Sequence, residues 1–295
     1  MPVRVLPSLA VAAVCLLVAP SARPSAAPTT VPALETLPGS AAERPSAEEF
    51  DRLARTNPVA MLEACVRRAQ ADLRGYRAVM SKRERIGGKL FDPETIRVSC
   101  REEPLAVRMI WDVGARTDGL LGFKIKGVRY ALGEKDPMVI YRPGALFEEQ
   151  AVAPKGADAR KTARLGIEES GLSHAVRRTH AAWAAIEKRS ELKVEYLGIQ
   201  AHPDAGNRPC HVLRRTCRAD EIDPFVTSEP PVAVTARNRA DAFDTVTIWI
   251  DRETWLQVGT EQTRRGELVA RYFFRLTETN PTFGKDEFTP TGLRK

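Results

Sequence analysis

Near the C-terminus, polar and apolar side chains alternate residue by residue over long runs, a pattern that few folds accept. Between Phe243 and Asp251, Val246, Ile248 and Ile250 alternate with Thr245, Thr247 and Trp249. From Glu267 to Arg275, Leu268, Ala270, Tyr272 and Phe274 alternate with Val269, Arg271, Phe273 and Arg275. A period of two lays one apolar row along one face of a strand, so these runs specify a sheet. Trp255 to Thr263 reads as a further strand between them. The connections Asp251-Arg252-Glu253-Thr254 and Arg264-Arg265-Gly266 are short and polar, and the glycine suits a hairpin turn. The whole stretch predicts an antiparallel meander.

The same reading applies upstream. Tyr76 to Arg85, Glu94 to Arg101 and Leu105 to Trp111 are expected strands, joined through Gly87-Gly88 and Glu102-Glu103-Pro104. Asp112 to Gly127 reads as irregular, Val128 to Leu132 and Met138 to Tyr141 as short strands, and Pro143 to Arg164 as a long loop. Leu192 to Gln200 and Pro209 to Cys217 form another expected pair, followed by a proline-punctuated loop from Arg218 to Ala240. Helical signals are fewer. Ser46 with Glu49 makes a capping-box pattern for a short helix over Ala47 to Arg55. Asn57 and Pro58 open a second, with Leu62, Cys65, Val66, Ala69 and Leu73 on one side and Gly75 at its end. Leu172, Val176, Thr179, Trp183 and Ile186 recur at helical spacing, predicting a helix over Leu172 to Lys188, with Glu168 and Glu169 at its positive end. A helix placed among strands in this way must cross one face of the sheet.

Two runs carry a resemblance. IDRETWLQVGTEQTRRGELVARYFFRLTETNPTFGKDEFTP is similar to the ending of the LolA-type lipoprotein carriers, and LRGYRAVMSKRERIGGKLFDPETIRVSCREEPLAVRMIW resembles a family of exported bacterial proteins, domain of unknown function 1571. With Gly166 to Leu172, the similarity spans about residues 58 to 290. It implies an α+β fold: a curved antiparallel sheet forming a half-open barrel, with about three helices on its concave side and a cavity between. The carriers place an arginine directly before the proline of the turn after the second main strand, where it latches the helices; here that position is Glu103. Lys82, Arg83 and Arg85 cluster on the first strand, where the carriers have a neutral polar residue.

The first residues point to export. Met1 to Ala19 carries Arg4 and then an apolar run, too short for a comfortable bilayer span and suited to a secretory leader. The expected organisation is a signal peptide over residues 1–27, a Pro/Ala/Ser-rich linker over 28–45, and one LolA-like domain over 46–292. Retention of the leader as a membrane anchor is the alternative. Lys and Arg total 45 against 38 for Asp and Glu, a net +7 that falls to +5 when Arg4 and Arg23 leave with residues 1–27. That excess is spread along the chain, favours anionic surfaces in general, and leaves the fold undecided. Outside the leader lie Cys65, Cys100, Cys210 and Cys217, which allow three pairings or none.

Sites for chemistry are sparse. His174 and His180 fall on different faces of their helix, and His202 and His211 lack the partners that zinc needs. Ser170 lies outside any Gly-x-Ser-x-Gly elbow, and there is no Cys-x-x-Cys or glycine-rich phosphate loop. With few aromatics and no recognition motif, nucleic acid is not an expected partner. The expectation is therefore a non-enzymatic envelope or periplasmic protein, with no cofactor and no metal. Its apolar cavity would hold a lipid or a lipoprotein acyl chain. The residues expected to line it are Val98, Val107, Met109, Trp111, Ile248, Ile250, Tyr272 and Phe274 from the sheet, with Trp183 from the helix above. A sensor or scaffold that binds another envelope protein, through an exposed basic strand from Lys82 to Arg85, is the second reading. Membrane contact is expected to be peripheral or through an uncleaved leader.

Overall fold

A computed structural model describes residues 45–116, 124–143, 148–154, 163–217 and 242–294. The expected leader, the linker up to residue 44 and the expected loop Arg218 to Ala240 lie outside them.

The first helix, α1 (Ala47–Thr56), begins where the Ser46 hydroxyl accepts a hydrogen bond from the Glu49 N–H at 3.1 Å. Asn57 ends it and starts α2 (Pro58–Asp72): its own N–H donates to the Leu53 carbonyl, and its side chain accepts from the Ala60 N–H at 3.0 Å. Then come β1 (Gly75–Ile86), the short β2 (Lys89–Leu90), β3 (Glu94–Arg101), β4 (Ala106–Val113), β5 (Ile125–Ala131), β6 (Val139–Pro143) and β7 (Gln150–Val152). After α3 (Leu172–Glu187) follow β8 (Val194–Ala201), β9 (Pro209–Thr216), β10 (Thr245–Asp251), β11 (Gln257–Arg264) and β12 (Glu267–Thr279).

Apart from β2, which pairs only with β1, the strands lie in the order β7-β6-β5-β4-β3-β1-β12-β11-β10-β9-β8. All described pairings are antiparallel, and the curved sheet ends at β7 and β8 without closing. The chain thus starts in the middle at β1 and walks out to β7. Through α3 it reaches the opposite edge, then walks back until β12 pairs with β1. The half-open α+β architecture with three helices is therefore the observed fold.

Local chemistry fixes the turns. Between β11 and β12, Arg265 (φ 52°) and Gly266 (φ 81°) are both left-handed, the geometry that fits a two-residue hairpin to twisted strands. Between β10 and β11 the buried Asp251 carboxylate accepts from the N–H groups of Glu253 and Thr254 and from the Thr254 hydroxyl, while Arg208 binds it from the β8–β9 connection. Where α2 meets β1, the Asn280 side chain accepts from the Arg74 N–H at 2.7 Å and donates to the Asp72 carbonyl at 2.8 Å. The end of β12 is thereby tied to the start of the sheet.

Some elements depart from expectation. Gln150–Val152, inside the stretch read as a long loop, is a strand paired to β6 with Val139 opposite Val152; three residues are too few for a period to show. Part of Asp112 to Gly127 is also regular, since β4 continues to Val113 and β5 begins at Ile125. Glu168 and Glu169 form a separate 3-10 turn, Ile167–Glu169, because Gly171 takes φ 115° and breaks the chain's path before α3. Lys82 does not join Arg83 and Arg85 on an exposed strand: it is buried, on the same side of β1 as Met80 and Glu84. Alternation alone separates it from its basic neighbours.

Elements pack on both faces of the sheet. On the concave side α1 packs on β9, α2 on α3, and α3 on β11. On the convex side the ring of His202 stacks on Phe273 at 3.8 Å, and Trp249 meets Phe273 edge-on at 4.9 Å. The C-terminal turn Pro290–Leu293 packs over β5 and β6, where Arg108 donates to the Gly292 carbonyl at 2.9 Å.

Candidate ligand cavity

Helices fill one half of the concave side and leave the other half open. No described residue of α1, α2, β8, β9 or β10 borders the space that remains, a cavity of about 840 Å³. Its walls come from β1, β3, β4, β5, β6, β7, β11 and β12, with Ala175, Arg178 and Thr179 of α3 and the 163–171 segment as a roof.

Of the residues expected to line it, Val98, Met109, Trp111, Tyr272 and Phe274 do so. Val107, Ile248, Ile250 and Trp183 do not: they belong to the packed core, each 0–1% exposed. Periodicity put the sheet residues on the correct face, but it carries no information about how far along the sheet the helices reach. β10 lies in the filled half, and Val107 sits toward the end of β4 away from Trp111.

Lys82, Glu84, Glu94 and Arg116 gather at one end of the cavity, while Glu169 and Arg178 border it from the roof. Along the inward face of β1, Tyr76, Ala78 and Met80 give way to Lys82 and Glu84. The Glu84 carboxylate is 1% exposed. Its Oε2 lies 3.0 Å from Lys82 Nζ and 3.0 Å from Arg116 Nη2, and its Oε1 accepts from the Tyr272 hydroxyl at 2.5 Å. Glu94, on β3, accepts from the Trp111 indole N–H at 2.7 Å and pairs with Arg116 at 2.6 Å. The Arg164 N–H faces Glu84 Oε1 at 3.4 Å, and the Arg164 guanidinium donates to the Arg85 carbonyl at 3.1 Å. Burial pushes the Glu84 carboxyl up, but the charges of Lys82 and Arg116 and the Tyr272 hydrogen bond outweigh it, so Glu84 titrates below the usual carboxylate range. Burial and the Glu84 charge together hold Tyr272 as a neutral phenol, well above its ordinary value. Sequence reasoning missed this cluster. The available signal was Lys82 and Glu84 two apart, in phase with the inward Met80.

A second buried carboxylate secures the roof. Glu102 accepts from the Ser173 N–H at 3.3 Å and from the Ser173 hydroxyl, and Arg177 donates to that hydroxyl at 3.0 Å. No side chain at the N-cap position, Gly171, caps α3, so Glu102 from the β3–β4 turn meets the buried N–H end of the helix. Burial raises the Glu102 carboxyl above its ordinary value, against the pull of the Ser173 bonds. Glu103, which stands at the carriers' arginine position, is exposed.

The histidines serve packing. His211, buried on β9, lies with Nδ1 3.0 Å from the Tyr196 hydroxyl and Nε2 3.0 Å from Asp51, which binds Arg252 at 2.7 Å; this set docks α1. His174 Nδ1 approaches the Ser170 carbonyl at 2.9 Å. Among the described residues, no group of three or more His, Cys, Asp or Glu is placed to hold a metal ion. Cys65, Cys100, Cys210 and Cys217 are buried, and no disulfide joins any of them among the described residues. No described helix is long and apolar enough to cross a membrane.

Comparison with known proteins gives a family match and a set of distant structural likenesses. The model of a family described as a protein of unknown function, DUF1571, matches residues 73–292. No curated protein matches the chain. Among solved structures, lipoprotein LppX from Mycobacterium tuberculosis aligns at 13% identity and a TM-score of 0.39, covering 77% of this chain and 99% of its own. LprF from Mycobacterium bovis aligns at 12% identity and 0.40, covering 82% and 97%. A LolA superfamily protein from Nitrosomonas europaea aligns at 7% identity and 0.30, covering 77% and 97%.

Proposed function

The chain belongs to the DUF1571 family, and on that premise we propose that it is a non-catalytic, exported binding protein whose half-barrel holds an apolar ligand such as a lipid or a lipoprotein acyl chain. The observation that carries the reading is the cavity itself. Its 840 Å³ falls within the roughly 300–1,000 Å³ typical of small-molecule sites. Most of its wall is apolar, including Val98, Met109, Val128, Ile167 and Phe274. Water gains little on such a surface, and an alkyl chain that displaces it is stabilised by about 0.8 kcal/mol per buried CH₂. Export is supported by the leader-like pattern of Met1 to Ala19.

The protein-binding alternative needs the basic strand from Lys82 to Arg85 exposed. The open cavity and the buried Lys82 favour the ligand reading instead. The test is mass spectrometry of lipid extracted from protein purified out of membrane-containing cells, followed by titration of the delipidated protein with a fluorescent acyl probe. Co-purified lipid and saturable binding are expected. A delipidated protein that takes up no acyl probe at micromolar concentration ends the proposal.

A further inference from the structure

The cavity wall changes character over a very short distance. One inward step along β1 leads from Met80 to Lys82, and one along β12 from Phe274 to Tyr272, each step spanning about 7 Å. The cavity therefore has an oily end and an ionic end, and an occupant that fills both is an amphiphile.

The ionic end is not explained by stability. Replacing buried ion pairs with apolar side chains of similar size is often neutral or stabilising, because two charges must shed their water to pair. Here Lys82, Glu84, Glu94 and Arg116 are all at least nine-tenths buried as side chains, and all border the cavity. A headgroup of a single sign meets a like charge in such a cluster. An anion would compete with Glu84 and Glu94 for Arg116, and a cation would compete with Lys82 and Arg116 for the carboxylates. A headgroup carrying both signs can pair with both. Asp92 at the exposed rim offsets the extra positive charge of Arg164, so the end as a whole is close to balanced.

We infer that the ligand is a zwitterionic amphiphile, with its phosphate against Arg116, Lys82 and Arg164, its ammonium against Glu84 and Glu94, and its acyl chain along Val98, Met109 and Phe274. The inference rests on the proposal that the cavity takes an acyl chain. The experiment titrates the delipidated full chain with lysophosphatidylethanolamine, lysophosphatidylglycerol and monoacylglycerol of one chain length, and with phosphoethanolamine alone. Binding is read as a change in intrinsic tryptophan fluorescence, to which Trp111 at the ionic end contributes. Lysophosphatidylethanolamine is expected to bind at least about tenfold more tightly than either other lipid, the size of one charge-assisted hydrogen bond, and phosphoethanolamine far more weakly than all three. Glu94→Gln should weaken lysophosphatidylethanolamine, strengthen lysophosphatidylglycerol and leave monoacylglycerol unchanged; should that variant misfold, the order on the native protein still decides. Equal affinity for the three lipids overturns the inference and leaves the acyl site standing. A preference for lysophosphatidylglycerol, or binding of phosphoethanolamine as tight as that of its lipid, overturns it too. No binding by any lipid removes the acyl site along with it.

Discussion

Glu102→Ala tests whether the β3–β4 turn holds the roof helix. The substitution leaves the Ser173 N–H without its acceptor at a buried helix start and strips the Ser173 hydroxyl of its partner, while Arg177 still contacts that oxygen. Leaving a buried donor unsatisfied costs roughly 1–3 kcal/mol. Part of that loss is offset, because the raised Glu102 pKa means that its ionised form is itself disfavoured by burial. A net loss of about 2 kcal/mol follows, which for a domain of this size lowers Tm by roughly 4–8 °C. Glu102→Gln keeps an acceptor without the buried charge and should be at least as stable as the native protein near neutral pH. The pH dependence has a definite sign. A carboxyl whose folded pKa is raised contributes stability that is present below the unfolded value of 4.5 and is lost as pH rises through the folded value. That slope should appear in the stability difference between the native protein and Glu102→Gln, which falls as pH rises, because the other titrating groups are common to both. Thermal unfolding followed by circular dichroism, across a pH series, reads all three quantities. A Glu102→Ala protein as stable as the native one, or a native-minus-Glu102→Gln difference that does not fall with pH, would refute the reasoning.

Burial is the largest cause of the lowered pKa of His174, His180, His202 and His211, so their joint contribution to stability is present above about pH 6.5 and is lost as pH falls; urea midpoints should drop on acidification through that region, and His211→Asn should flatten part of the fall. Burial pushes the thiols of Cys65, Cys100 and Cys210 upward, Cys210 to about 12, so a thiol reagent at pH 8 should react slowly with the folded protein; in denaturant it should find four thiols, or five if the leader with Cys15 is retained, and a count lower by two would reveal a disulfide. Ile248→Ala, in the packed core, should cost about 2–5 kcal/mol by urea unfolding, whereas Met109→Ala on the cavity wall should cost under about 1 kcal/mol and change acyl-probe affinity instead. Equal costs at the two positions would contradict the division of the concave face into filled and open halves.

The fold was legible because its rules are local and periodic. Alternation found the long strands, Ser46 and Asn57 marked helix starts, and Arg265-Gly266 marked the tight hairpin. Legibility failed where the deciding contact is remote. Nothing near Gln150–Val152 announces a strand, since its partner is β6 and its length is below one visible period. Ile248 and Tyr272 look equivalent in sequence; only the placement of the helices puts one in the core and the other on a cavity wall. Lys82 and Glu84 read as surface charge because residues drawn together from β1, β3, β12 and two loops make them a buried cluster.

The position of β1 bears on when this protein can finish folding. Its partners on one side arrive at once, but on the other it waits for β12, with Tyr76 opposite Thr279 and Glu84 opposite Ala270. Until β12 has emerged, that central seam is an open edge. Such distant pairing is slow to form. Were the chain exported unfolded, as proposed, the sheet could not knit itself shut until β12 had followed the other strands through.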